Sequence, residues 1–185
     1  MRKLIAAMNM TLDGFCDHTA GIADDELHQH YNEVLKTGDT LLYGRITYQL
    51  MESYWPDVVE HPTGNQPEDD FAILIDNITK IVFSHTLKKV DWKNTKLATR
   101  SLKEEVLELK QQTGKAILAG SPSVIAALTK LDLIDEYQLC VHPVILGSGL
   151  ILFKNISDMK NLKLIKTKTF GSGAIVLYYE PERKE

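Results

Sequence analysis

Residues 40–47 have the sequence Thr-Leu-Leu-Tyr-Gly-Arg-Ile-Thr, and residues 116–123 have the sequence Ala-Ile-Leu-Ala-Gly-Ser-Pro-Ser. In each stretch, an apolar run of strand length is followed by a glycine and then by residues typical of a helix start. This unit occurs twice, which predicts an α/β protein whose parallel strands end at one edge of a sheet. At that edge each helix would present unpaired backbone N–H groups and the positive end of its dipole.

The rest of the chain continues this alternation of strands and helices. Further strands are predicted, in chain order, at residues 3–9, 80–84, 96–99 and 137–142. Further helices are predicted after Asp24 or Asp25, around residues 71–78 and after Ser101. The segment 55–67 contains three prolines and a glycine and is predicted to be a loop. Residues 162–170 and 175–179 flank Gly171-Ser-Gly173, which predicts an antiparallel hairpin at the edge of the sheet.

Length and composition exclude several classes of protein. The chain has 185 residues, of which 44% are hydrophobic and 25% charged, so one globular domain spanning residues 1–185 is expected. A net charge of −4 gives no global attraction for nucleic acid or an anionic membrane, and neither partner is expected. No apolar run approaches the length of a membrane span. The two cysteines have no CxxC spacing, which favours free thiols and a cytoplasmic location.

Both strand–glycine–helix units carry groups that can bind an anion. Arg45 offers a guanidinium fork that suits phosphate, and Thr47, Ser121 and Ser123 add hydroxyl donors. Two anion sites at one sheet edge suit a ligand with two phosphates, such as a dinucleotide. The alternative is that these residues only cap helices, because neither a GxGxxG motif nor a P-loop is present.

Three further residues could carry chemistry. Asp13 follows the first strand, where it could contact a substrate or take part in a proton relay, or where Asp-Gly could simply form a turn. His28 and His30 are two positions apart on a helix and point in different directions, so they cannot chelate one ion. No metal site is predicted, and both histidines are expected on the solvent-exposed helix surface.

Six motifs in a fixed order connect the chain to a known family: Thr11–Gly14, Leu42–Tyr48, Val82–Ser84, Gly120–Ser123, Leu133–Tyr137 and His142–Gly149. On these motifs the chain resembles the dihydrofolate reductase-like superfamily. Within it, the chain is most similar to the family named for the reductase domain of the bifunctional riboflavin-pathway deaminase–reductase, the RibD C-terminal domain family. The resemblance covers residues 3–179. It implies a mostly parallel central sheet flanked by helices, with an antiparallel C-terminal hairpin.

The resemblance also implies that NADPH binds along the C-terminal edge of the sheet. The residues expected to bind it are Ala7, Gly14, Gly44, Arg45, Thr47, Ser84, Gly120, Ser121, Pro122 and Ser123. Among them, Ala7 would line the nicotinamide pocket, Ser84 would meet the 2′-phosphate region, and residues 120–123 would cradle the pyrophosphate. Asp13, beside the nicotinamide and the substrate, becomes the candidate catalytic residue.

The implied activity is reduction of a C=N or C=O bond in a small heterocycle, as in 5-amino-6-(5-phosphoribosylamino)uracil reductase. One alternative is a dihydrofolate or pterin reductase, although Glu26, His28 and Gln29 do not match the buried carboxylate that those enzymes carry on the first helix. Another is a dinucleotide-binding protein without turnover. Residues 175–178 are apolar at successive positions, so both faces of their strand are apolar, which is more than one buried face needs. This predicts a homodimer through that region.

Overall fold

A computed structural model describes residues 1–182 and contains an eight-stranded sheet. In chain order, its strands are β1 (Leu4–Thr11), β2 (Gly38–Gly44), β3 (Thr79–Phe83), β4 (Thr95–Leu97), β5 (Ala116–Ala119), β6 (Glu136–His142), β7 (Leu162–Thr169) and β8 (Ile175–Pro181). Their order across the sheet is β4-β3-β2-β5-β1-β6-β8-β7. The pairings among β1 to β6 are parallel. Strand β8 pairs antiparallel with β6 and β7, which confirms the predicted mostly parallel sheet with a C-terminal hairpin.

Helices cover both faces of this sheet. They are α1 (Asp25–Thr37), α2 (Arg45–Glu52), α3 (Trp55–Glu60), α4 (Gln66–Asn77), α5 (Leu102–Gln111) and α6 (Pro122–Lys130). Successive residues of a strand point to opposite faces and therefore enter different cores. Leu42 belongs to a buried cluster with Ile125 of α6, whereas Leu41 belongs to a cluster with Leu35 of α1 and Ile75 of α4. Within residues 1–182, no helix is both long and apolar enough to cross a membrane.

The prediction of a loop over residues 55–67 was wrong. Helix α3 occupies Trp55–Glu60, and α4 begins at Gln66. Two of the prolines lie in the first turns of these helices, where a missing N–H costs no hydrogen bond. The side chain of Asn65 caps α4 by accepting from the N–H of Glu68. Pro56 and Pro67 therefore start helices, and Pro62 lies in the short connection between them.

The register of the central strands sets the position of the functional site. Ala119, the last residue of β5, pairs with Ala6 in the middle of β1. Gly44, the last residue of β2, pairs with Phe83 at the end of β3. Strand β1 therefore runs on past the end of β5 and forms a wall there, whereas β6 ends level with β1 because Thr11 pairs with His142.

Candidate functional site

A cleft of about 680 Å³ opens where β2, β3 and β5 end, beside the middle of β1. The second half of β1 forms one wall, and α1, α2 and α4 contribute others. Of the residues predicted to bind the cofactor, those that line the cleft are Ala7, Gly44, Arg45, Thr47, Ser84, Gly120, Ser121, Pro122 and Ser123. Asp13 and Gly14 lie outside this lining.

The two strand–glycine–helix units meet in space. The hydroxyl of Thr47 donates to the hydroxyl of Ser121 across 3.0 Å. A Cβ atom on Gly44 would lie 2.8 Å from Oγ of Ser123, so the absence of a side chain lets these turns approach closely. Gly44, Thr47, Ser121 and Ser123 thus form one polar surface, here called the cradle, at the start of α2 and α6.

The two helices at the cradle differ from the other long helices of the fold in how their N-termini are satisfied. The side chains of Asp24, Asn65 and Ser101 cap α1, α4 and α5, and acidic residues follow in each first turn. At α2 and α6, the N-cap residues Gly44 and Ser121 make no side-chain capping bond, and the first turn has no acidic residue. The N–H groups and positive dipole ends of α2 and α6 are therefore available to an anion from outside the chain.

Arg45 adds a full positive charge at the start of α2. Its side chain is exposed, and its Nη1 donates to Oε1 of Gln49 across 3.0 Å. Arg2 and Arg100 each pair with a carboxylate, whereas Arg45 forms no ion pair within residues 1–182. The charge of Arg45 is thus not neutralised by the chain itself and can act on a bound phosphate.

Ser84 directly follows Phe83, the last residue of β3, which pairs with Gly44 on the neighbouring strand. Its Oγ accepts hydrogen bonds from the N–H groups of Thr86 and Leu87, at 3.1 Å and 3.0 Å. This hydroxyl therefore shapes the turn formed by residues 84–87, part of which lines the cleft beside the start of α2.

A polar group that the sequence analysis missed lies on the wall formed by β1. Oδ1 of Asn9 accepts from the hydroxyl of Tyr31 across 2.9 Å and lies 3.0 Å from Nε2 of His142. Nδ1 of His142 accepts from the backbone N–H of Ile22 across 3.0 Å. Asn9 is two residues beyond Ala7 and so faces the same side of the strand, a signal that could have identified it.

Aromatic rings line the part of the cleft that lies between α1 and α4. The rings of Trp55 and Phe71 are 4.5 Å apart, and the ring of His28 lies 6.4 Å from Trp55. The expectation that His28 and His30 lie on a solvent-exposed surface was therefore wrong. His28 faces the cleft, and His30 is 3% exposed.

Asp13 makes contacts within its own loop and the loop after β6. Its carboxylate accepts from the hydroxyl of Thr11 at 2.6 Å and from the N–H groups of Leu146 and Gly147, the latter at 2.7 Å. Led by the bond from Thr11, these contacts lower the pKa of Asp13 to about 2. The group is therefore an anion at neutral pH, and its predicted role in catalysis stays a prediction. Gly14 has a φ of +86°, which favours glycine in this turn.

The thiol and carboxylate groups at the cleft have little capacity for acid, base or metal chemistry, whereas the imidazole rings of His18, His28 and His85 also line it as candidate proton donors. Burial raises the pKa of the Cys16 thiol to about 11, so it is a poor nucleophile. Asp17 is the only carboxylate among the lining residues that the structure describes. No cluster of three or more His, Cys, Asp or Glu side chains in residues 1–182 is arranged to hold a metal ion.

Comparison with known proteins identifies the family of this chain. The sequence profile of the RibD C-terminal domain matches residues 2–176. The uncharacterised protein YyaP of Bacillus subtilis is 34% identical over 182 residues, covering 96% of this chain and 94% of YyaP. The fold is similar to that of a Shewanella sp. PV-4 protein assigned to riboflavin biosynthesis, with a TM-score of 0.75, 19% identity and coverage of 98% and 99%.

A further similar fold is that of dihydrofolate reductase from Enterococcus faecalis, solved in complex with NADP(H). Its TM-score is 0.65 at 15% identity, with coverage of 98% of this chain and 97% of that enzyme. The fold of this protein is thus dihydrofolate reductase-like, as the six sequence motifs implied. Together with the profile match over nearly the whole chain, this shows that the protein belongs to the RibD C-terminal domain family.

Proposed function

We propose that this protein is an NADPH-dependent reductase that transfers hydride to a small planar heterocycle. The observation that carries the proposal is the junction of two uncapped helix N-termini through Thr47 and Ser121. A dinucleotide brings two linked phosphates, which match two neighbouring dipole ends. The family relationship and the similar fold of a reductase that binds NADP(H) support the same cofactor class.

The residues beside the cradle also fit this cofactor. A Cβ atom on Gly120 would make only ordinary contacts within the protein, the nearest being Cε1 of Tyr43 at 3.5 Å. The chain therefore does not need a glycine there for its own packing, and the open space suits close approach by a pyrophosphate. Arg45 and Ser84, at the ends of adjacent strands, would meet the 2′-phosphate that distinguishes NADPH from NADH.

Bound NADPH would supply the hydride, and the chain would supply orientation and exclusion of water. With the phosphates at the cradle, the middle of β1, where Ala7 and Asn9 lie, would form the wall beside the nicotinamide. The aromatic side chains of His28, Trp55 and Phe71 would then form the walls of the space that the hydride acceptor occupies. Flat apolar walls favour a planar ring as the acceptor.

The same walls favour an uncharged acceptor. Arg45 is the only arginine or lysine among the lining residues that the structure describes, and it lies at the cradle. A phosphoribosyl group, as the riboflavin-pathway substrate carries, has no arginine or lysine partner beside the aromatic walls. The residues of α1 that line the cleft include no carboxylate, which does not favour a pterin substrate.

A second candidate function is dinucleotide binding without turnover. It is favoured because Asp13 lies outside the cleft lining and the Cys16 thiol has a raised pKa, which leaves His18, His28 and His85 as the main candidate proton donors. A single-turnover experiment with bound NADPH and a panel of uncharged heterocycles distinguishes the two functions. Loss of absorbance in the reduced nicotinamide band indicates a reductase, and its persistence with every acceptor favours the binding protein.

We also propose that the protein is a homodimer in solution through the β7–β8 hairpin. Leu164 and Ile165 of the edge strand β7 are about half exposed, as is much of the hairpin's outer face. An exposed apolar patch on a sheet edge marks a surface suited to a second copy.

Calorimetric titration with NADPH and, separately, NADH tests the cofactor assignment. The wild-type protein is expected to bind NADPH at least tenfold more tightly than NADH. Substitution Arg45→Ala is expected to weaken NADPH binding by about 1.5–3 kcal/mol, because a charge-assisted phosphate contact is lost. The matched control is Arg100→Ala, which removes an exposed arginine that lies outside the cleft lining.

Two results would contradict the proposal. If the wild-type protein binds neither dinucleotide, the reductase function is wrong. Alternatively, Arg45→Ala and Arg100→Ala could weaken NADPH binding equally, which would remove Arg45 from the cofactor site.

A further inference from the structure

The side chain of Asn9 is fixed by a chain of hydrogen bonds that begins at a backbone group. The backbone N–H of Ile22 can only donate, and its acceptor is Nδ1 of His142 at 3.0 Å. That nitrogen therefore carries a lone pair, and the proton of the neutral imidazole lies on Nε2. His142 is buried, and burial lowers its pKa, which keeps the ring neutral.

The tautomer of His142 then decides how the carboxamide of Asn9 is oriented. Nε2–H donates to the side chain of Asn9 at 3.0 Å, and the hydroxyl of Tyr31 donates to the same atom at 2.9 Å. An atom that receives two donors is the amide oxygen, since the reversed amide would set N–H against N–H. The NH2 group of Asn9 consequently points away from both partners and has no hydrogen-bond partner within residues 1–182, on a residue that lines the cleft.

The register of the sheet places this donor away from the phosphates. Ala119, the residue before the Gly120 turn, pairs with Ala6. Asn9 is three residues further along β1, about 10 Å beyond that pair at roughly 3.3 Å per residue. A dinucleotide whose pyrophosphate lies at the cradle would extend its nicotinamide ring, with its neutral carboxamide, along β1 toward Asn9.

We propose that Nδ2 of Asn9 donates a hydrogen bond to the carboxamide oxygen of the nicotinamide ring and so selects its orientation. The inference rests on the proposed function and assigns the specificity for the ring end of the cofactor to a residue outside the cradle. His142 and Tyr31 are positioning residues, because they act on the ring only through Asn9.

The test compares NADPH with 2′-phospho-ADP-ribose, which has the same phosphates but no nicotinamide, by calorimetric titration. Substitution Asn9→Asp keeps an oxygen acceptor for His142 and Tyr31 while removing the donor. Asn9→Ala removes the donor without adding charge, so the two variants together separate loss of the donor from charge repulsion. Thermal unfolding of both variants verifies that they fold.

Both variants are expected to lose about tenfold in affinity for NADPH relative to 2′-phospho-ADP-ribose, the effect of one neutral hydrogen bond. The 3-acetylpyridine analogue of NADPH keeps the carbonyl oxygen, so both variants are expected to lose about tenfold in affinity for this analogue as well, again relative to 2′-phospho-ADP-ribose. Equal losses for NADPH and the fragment would overturn the role of Asn9 and leave the proposed function intact. If the wild-type protein binds neither NADPH nor the fragment, the proposed function itself fails.

Discussion

His30 shows how a side chain takes its properties from a distant part of the chain. Its ring lies 5.2 Å from that of Tyr31, 5.6 Å from Phe170 and 6.4 Å from Tyr178. In α1, His30 lies three residues after Leu27 and four before Val34, so helical spacing places it beside the apolar stripe of the helix and could have indicated its burial. Phe170 and Tyr178 belong to the C-terminal hairpin, and these partners could not be predicted from the pattern of α1.

This burial predicts a pH-dependent stability. Desolvation, followed by the charge of Lys168, lowers the pKa of His30 to about 4 from its ordinary 6.5. Between these values the unfolded chain binds more protons than the folded one, so the free energy of unfolding falls as pH decreases from 6.5 to 4. Substitution His30→Phe is expected to remove up to about 3 kcal/mol of this loss at pH 4.

Urea unfolding of the wild type and of His30→Phe at pH 7, 5.5 and 4 measures the effect. The carboxylates titrate alike in both proteins, so the difference between the two free energies isolates His30. If the free energies of unfolding of the two proteins change equally between pH 7 and pH 4, the imidazole of His30 is not buried as a neutral group.

The candidate site was predictable where it is local in sequence. Gly44, Arg45 and Ser121 were identified because a strand, a glycine and a helix start follow one another directly. The bond between Thr47 and Ser121 joins positions 74 apart, and the contact between Asn9 and His142 joins positions 133 apart. Such contacts depend on strand order, which the local patterns do not specify, so the cradle's two halves were predicted and the Asn9 network was missed.

At the scale of elements, the end of α4 depends on a buried lysine in the next strand. Nζ of Lys80 donates to the carbonyl oxygens of Ile75, Asp76 and Ile78 at 2.8–3.0 Å. It also lies 4.3 Å above the ring of Trp92. These carbonyls belong to the last turn of α4 and its C-cap, where no intrahelical donor is available. Lys80 therefore joins α4 to β3.

Substitution Lys80→Met keeps the aliphatic stem and removes the donors, which leaves buried carbonyl oxygens unsatisfied. The free energy of unfolding is expected to fall by about 3 kcal/mol. The affinity of the folded protein for NADPH should not change, because Lys80 lies outside the cleft lining. Denaturant unfolding with Lys103→Met, an exposed lysine of α5, as control measures the loss. A decrease below about 1 kcal/mol would mean that water or neighbouring groups replace the ammonium.

At the scale of the molecule, the alternation of strands and helices predicted the parallel part of the sheet and the position of its functional edge. It did not predict that helices α3 and α4 begin at Trp55 and Gln66, because Pro56 and Pro67 were interpreted as residues that interrupt helices. Proline can break or start a helix, and its position relative to the cap decides which. The N-cap of α4 is Asn65. The apolar periodicity that predicted this helix covers only residues 71–78, so it gave no indication that the helix begins at Gln66.

The hairpin at the other end of the sheet gives a prediction about assembly. Ile165 of β7 is 48% exposed and lies at a bulge between Leu164 and Lys166. A bulge and several lysines on an edge strand discourage pairing with a second edge, so the expected contact is between hairpin faces. Light scattering at two protein concentrations should give the mass of two chains for the wild type.

Substitution Ile165→Glu is expected to yield a monomer, because it places a charge in the apolar contact. Leu107→Glu, at a residue of α5 that is 40% exposed, is the matched control and should remain dimeric. Both variants change an exposed apolar side chain, so a difference between them reports the location of the interface and not a general effect on solubility. A wild-type mass of one chain at both concentrations would contradict the dimer, and dissociation of both variants would place the interface elsewhere.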